Sequence, residues 1–157
     1  MKTKTNIPLR TVLIVIMVAF CSLGCQPHHD LYRDIHAAAR AGDVAEVTAD
    51  LVQNPSDLEL PDNAGFTPLY LAASACQTNV VALLLDKGAK IDIKAKDGST
   101  PLQEAAQQGC QGCVSLLLDR GATVNIRNNQ GKTPLGCAEL WHRDSVVELL
   151  HQHGGIE

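Results

Sequence analysis

The chain has 157 residues, of which 45% are apolar, 19% charged and 3% aromatic; this holds one domain of ordinary size with a short appendage and excludes a two-domain enzyme. The net charge is −4, but Lys2, Lys4 and Arg10 fall in the first 24 residues, which contain no acid, so ten basic and seventeen acidic residues remain for the body. Such a body argues against DNA, RNA and anionic membrane surfaces as primary partners, and five aromatic residues are too few for a ring-stacking platform.

The chain begins with those three positive charges, an uninterrupted apolar run over 12–20, and then Ser22, Gly24 and Cys25. A charged segment, a short apolar segment and a small-x-small pattern together make a secretory signal over 1–24. The run is too short to cross a bilayer, which takes about 20 apolar residues. Ser22-Leu23-Gly24-Cys25 resembles a bacterial lipobox. That resemblance implies cleavage before Cys25 and a diacylglycerol on its thiol, although Ser22 stands where Leu is usual. Ser22 and Gly24 also suit the ordinary signal peptidase, which would leave Cys25 as a bare N-terminal thiol. The lipoprotein reading is preferred because an unpaired exported thiol is a liability. Gln26, with no Asp beside the cysteine, resembles an outer-membrane address. Residues 25–30 then form a tether facing the periplasm, with a soluble periplasmic protein as the alternative.

The elements that follow are helical. Ile35-His36-Ala37-Ala38-Ala39-Arg40-Ala41-Gly42-Asp43 leads into Val44, Val47 and Leu51, the apolar positions of a second helix. Thr67-Pro68-Leu69, Thr100-Pro101-Leu102 and Thr133-Pro134-Leu135 each start a helix: Thr caps a bare backbone N–H, and Pro at the first helical position has none to waste. Leu69, Ala72 and Ala73, then Leu102, Ala105 and Ala106, form the core side of two of these helices, with alanine pairs that let neighbours approach closely. Second helices follow with apolar residues at i, i+3 and i+4: Val80, Leu83 and Leu84; Cys113, Leu116 and Leu117; Val146, Leu149 and Leu150. Gly88, Gly121 and Gly154 mark their left-handed stops. Cys76 and His142 occupy turn positions where a glycine is expected, at roughly 1 kcal/mol each, and Glu139 replaces a core alanine.

These markers recur every 33 residues. The period with its T-P-L core resembles the ankyrin repeat. The resemblance implies an all-α ankyrin-repeat solenoid of four helix-turn-helix repeats with finger-like turns over 90–98 and 123–131. The domain spans 31–157, with an N-terminal capping repeat over 31–62, repeats over 63–95 and 96–128, and a C-terminal capping repeat over 129–157. One repeat cannot bury its apolar face; stacking buries it.

Catalytic signals are absent: there is no G-x-S-x-G, no phosphate-cradling glycine loop and no H-E-x-x-H, so no enzyme and no cofactor is expected. Six cysteines are too few for a disulfide-packed miniprotein. Cys110-Gln111-Gly112-Cys113 is the sharpest local motif, because C-x-x-C at a helix start is a redox arrangement in thioredoxin-like proteins. By register, however, Cys113 points into the core and Cys110 faces solvent. A structural disulfide suits an exported protein better, and both Cys110–Cys113 and Cys76–Cys110 stay open, the second within reach only if the Cα atoms lie under about 7 Å apart. Cys137 is expected to be a space-filling thiol. His28-His29 and His151-x-His153 lack partners at metal-ligand spacing, so no metal is expected.

Surface recognition remains. The resemblance implies partner contacts from the finger tips and the open side of each first helix. By register these include Phe66, Ser99 and Lys132 on the fingers, and Tyr70, Gln103, Gln107, Leu140 and Trp141 on the helices. The expected role is a non-enzymatic adaptor or scaffold, anchored in the envelope and binding another protein on its concave face. The alternatives are a thiol-redox protein using Cys110 and Cys113, and a purely structural envelope lipoprotein.

Overall fold

A threonine opens three of the four helical pairs. In the computed structural model, which describes residues 34–157, the hydroxyls of Thr67, Thr100 and Thr133 accept from the backbone N–H of Tyr70, Gln103 and Gly136 at 3.3, 3.4 and 3.2 Å. A proline follows each threonine and fixes the first helical φ. The first pair uses Asp34 instead, whose carboxylate accepts from His36 N–H. The expected signal segment, Cys25 with its tether, and His28-His29 lie outside the described residues.

Among the described residues there are eight α-helices and no strand. The first helices are α1 (Ile35–Ala41), α3 (Pro68–Ser74), α5 (Pro101–Gln108) and α7 (Pro134–Leu140); the second are α2 (Val44–Gln53), α4 (Thr78–Asp86), α6 (Gln111–Asp119) and α8 (Asp144–Gln152). A 3-10 turn, Pro55–Glu59, follows α2. Each first helix packs on the next, as does each second helix, which builds the expected all-α solenoid. Leu69, Leu102 and Leu135 form one buried ladder, and Leu84, Leu117 and Leu150 another. Burying one such leucine stabilises the fold by about 1.5–3 kcal/mol. The alanines at 72, 73, 105 and 106 are completely buried, as close helix approach requires.

The fingers tie repeat to repeat. Asp62 accepts from the N–H groups of Ala64 and Phe66, and Asn128 accepts from those of Gln130 and Lys132, so each side chain holds its own tip in a turn. Lys96 Nζ donates to the Asn63 carbonyl at 2.6 Å, and Asn129 Nδ2 donates to the Lys96 carbonyl at 3.1 Å.

The turns at the opposite end of the first helices form a second row of ties, and here the expected exposure of Cys110 is corrected. Cys110 is only 5% exposed. Its register equivalents, Gln77 and Arg143, show why: this position leans back on the preceding repeat. Gln77 donates to the Arg40 carbonyl at 3.2 Å, and Arg143 Nε donates to the Gln107 carbonyl at 3.0 Å. At the middle junction the tie is covalent. Cys76 and Cys110 form a disulfide with their Cα atoms 5.2 Å apart, inside the span such a bond allows.

The residue opposite this tie decides what fits. A Cβ added at Gly109 would lie 2.8 Å from Arg143 Cδ, and one at Gly42 would collide with the Gln77 side chain. Cys76 holds the same turn position with a side chain present, at φ 57°, and its partner Cys110 is short enough to meet it. His142 also takes a left-handed φ, 54°.

Candidate partner-binding face

The side of the solenoid between fingers and first helices is built around Tyr70. Its ring stacks on Phe66 with centroids 4.4 Å apart and planes 9° from parallel. The hydroxyl donates to Glu104 Oε2 at 2.9 Å and lies 3.0 Å from Ser99 Oγ, which in turn bonds Asp97. Burial, first, and the Glu104 charge push the Tyr70 phenol well above its usual range, although the Ser99 hydrogen bond works against them. Glu104 also accepts from Gln108 Nε2 at 2.8 Å.

This network corrects three of the surface positions expected from register. Tyr70, Ser99 and Gln103 are 4, 5 and 1% exposed. The physical reason is the following repeat, whose finger folds over the first-helix position that Tyr70 and Gln103 share. Gln103 accepts from Thr100 N–H at 3.0 Å and donates to the Lys132 carbonyl at 2.6 Å. It closes its own helix start and holds the next finger. These residues position the face rather than present it.

Five of the expected contact residues remain accessible. Phe66 and Gln107 are half-buried and Lys132 is exposed. Leu140 and Trp141 are 61 and 51% exposed, side by side where α7 ends. Lys132 and Leu140 border an open hollow of about 460 Å³, together with Arg127, Gly136, Glu139 and Glu157. Gly136 takes the place of Tyr70 and Gln103 in the last repeat. Without a side chain there, the hollow stays open. Burial and the neighbouring Glu157 carboxyl push the Glu139 carboxyl above the usual range.

A smaller hollow of about 110 Å³ lies between the third and fourth repeats, lined by Asp97, Glu104, Gln107, Asn128, Gln130 and Cys137 among others. Glu104 carries no signal in the sequence. The Tyr70 hydroxyl, bonded to Glu104 and beside the Ser99 hydroxyl that bonds Asp97, brings these two carboxylates together.

The thiols are placed for packing. Cys113 and Cys137 are unbonded and buried. Burial pushes both thiols above the usual range, against a Thr78 hydrogen bond at Cys113 and with the Glu104 charge at Cys137. Cys110 is bonded to Cys76 and not to Cys113, so the C-x-x-C spacing does not form a disulfide here. Among the described residues, no three His, Cys, Asp or Glu side chains are grouped to hold a metal ion, and no helix is long and apolar enough to cross a membrane.

A capped helical pair repeated every 33 residues, with finger ties on one edge and turn ties on the other, defines a repeat-stack scaffold. The family model for ankyrin repeats (3 copies) matches residues 35–128 and 88–157, and the chain belongs to the ankyrin-repeat family. Proteins of this family are typically non-enzymatic, and the repeats indicate a protein–protein interaction module. Delta-latroinsectotoxin-Lt1a from Latrodectus tredecimguttatus is 45% identical over 56 residues, which is 35% of this chain and 5% of the toxin. The chain therefore matches only a small fraction of that protein's length.

Proposed function

We propose that this chain is an adaptor or scaffold held at a bacterial envelope, binding a periplasmic or membrane-associated protein through the open end of its concave side. The observation that carries the reading is the pair Leu140 and Trp141, both more than half exposed, next to the open hollow bordered by Arg127, Lys132 and Glu139. Large apolar side chains left in water beside a polar-rimmed hollow are the pattern of an interface anchor. Gln107 and Phe66 extend the face toward the middle of the stack.

The envelope part of the reading rests on the lipobox-like Ser22-Leu23-Gly24-Cys25. In it, residues 1–24 are removed, Cys25 is acylated and 25–30 is a short tether. The outer membrane is preferred over the inner, and without acylation the protein is soluble in the periplasm.

Cross-linked affinity capture from native envelopes tests the binding face, with Leu140→Ala, Trp141→Ala beside the unmodified chain. One dominant protein, lost with the double variant while the far-ultraviolet circular dichroism is unchanged, supports the face. A partner indifferent to both substitutions overturns it. Metabolic labelling with a fatty-acid analogue tests the anchor: label is expected on the unmodified chain and none on Cys25→Ser.

A further inference from the structure

We propose that the Cys76–Cys110 bond is a directional thiol-exchange site, in which a low-molecular-weight thiol attaches reversibly to Cys76 and releases Cys110. This is independent of the partner-binding reading. The two cysteines differ in exposure. Cys76 is exposed on the α3–α4 turn, whereas Cys110 is 5% exposed beneath it. The sulfur that is attacked is set by access and by how readily the other departs. Both criteria select Cys76 here. Cys110 is the N-cap residue of α6, a helix of nine residues, where bare N–H groups and the helix dipole favour a departing thiolate.

The step balances without an outside oxidant. The incoming thiolate attacks Cys76 Sγ and forms a new S–S bond. The Cys76–Cys110 bond breaks, and its electron pair leaves on Cys110 Sγ, which takes up the proton the incoming thiol has lost. One disulfide is exchanged for another. In reverse, the Cys110 thiolate attacks Cys76 Sγ and expels the small thiol.

Two further features favour a single, reversible product. Cys113 is completely buried and 3.4 Å from the Thr78 hydroxyl, so it is shielded from the exchange although it lies three residues from Cys110. Finger ties and stacked helices still join the second and third repeats once the covalent tie opens. Cys110 therefore stays near the Cys76 adduct and can close it again.

The test uses the oxidised full chain and glutathione under native conditions, with acid quench, alkylation of open thiols and peptide mapping by mass spectrometry. The expected result is glutathione on Cys76 in at least tenfold excess over Cys110, with Cys110 alkylated and Cys113 unmodified. The same distribution is expected in Cys113→Ala, and the preference is expected to vanish in urea above the unfolding midpoint. Glutathione mainly on Cys110, equal amounts on both, a Cys110–Cys113 disulfide, no adduct at all, or a preference that survives in urea would each overturn the proposal.

Discussion

The Tyr70 hydroxyl and the Glu104 carboxylate lie 2.9 Å apart across the junction of the second and third repeats, a charge-assisted hydrogen bond on a phenol that is 4% exposed. Tyr70→Phe keeps the stack on Phe66 but leaves Glu104 and Ser99 without this partner. The expected loss is about 1–3 kcal/mol, by the usual worth of a hydrogen bond to a charged group. Urea unfolding at neutral pH checks it.

The same residue sets an alkaline limit. Its phenol titrates higher folded than unfolded. The native state therefore keeps a proton that the unfolded chain gives up, and stability falls as pH rises past the ordinary phenol value of about 10. The contribution is fully present below that value and disappears as pH climbs toward the raised folded one. Burial pushes the Cys113 and Cys137 thiols in the same direction, so Tyr70→Phe serves as the control. Its stability is expected to fall less steeply with pH than that of the unmodified chain above about pH 9. Equal slopes in the two proteins would remove Tyr70 from this account.

Replacing the covalent tie tests the turn row. Cys76→Ala with Cys110→Ala removes a crosslink between residues 34 apart, and a loss of about 4 kcal/mol is expected from the loop it closes. Cys76→Gly with Cys110→Gln recreates the neighbouring junction, in which Gln77 faces Gly42 and donates to the Arg40 carbonyl. This pair is expected to recover about 1 kcal/mol of that loss. Thermal melts of the two double variants decide the matter.

His142 is exposed and its backbone is left-handed at φ 54°. His142→Gly is expected to raise stability by about 1 kcal/mol, since glycine adopts this conformation without the Cβ penalty. Gly109→Ala is the opposite control. It adds a Cβ 2.8 Å from Arg143 in an equally left-handed turn, and its melting temperature is expected to drop.

The helices were legible because their signals are local. Thr-Pro fixes a helix start within four residues, and leucine spacing fixes a buried face within one helix. The face is less legible, for a physical reason. Tyr70 and Gln103 sit at positions open within their own repeat and are covered only when the next finger folds back, as the bond from Gln103 to the Lys132 carbonyl shows, and Ser99 belongs to the finger that covers Tyr70 and is buried against its hydroxyl. The burial of Cys110 is hidden from a local reading in the same way, because its neighbour is 34 residues earlier in the chain. Leu140 and Trp141 read correctly as exposed, since among the described residues no further repeat stacks on α7.

The clamp between positions 76 and 110 also makes the molecule uneven under tension. A pull on the two ends would draw out the outer repeats, but the 34-residue stretch closed by the disulfide cannot lengthen while that bond holds. At about 3.3–3.6 Å per extended residue, roughly 110 Å of contour is kept in reserve. Opening the bond releases that length all at once, so a stack of otherwise similar repeats carries one segment whose reach is set by thiol chemistry.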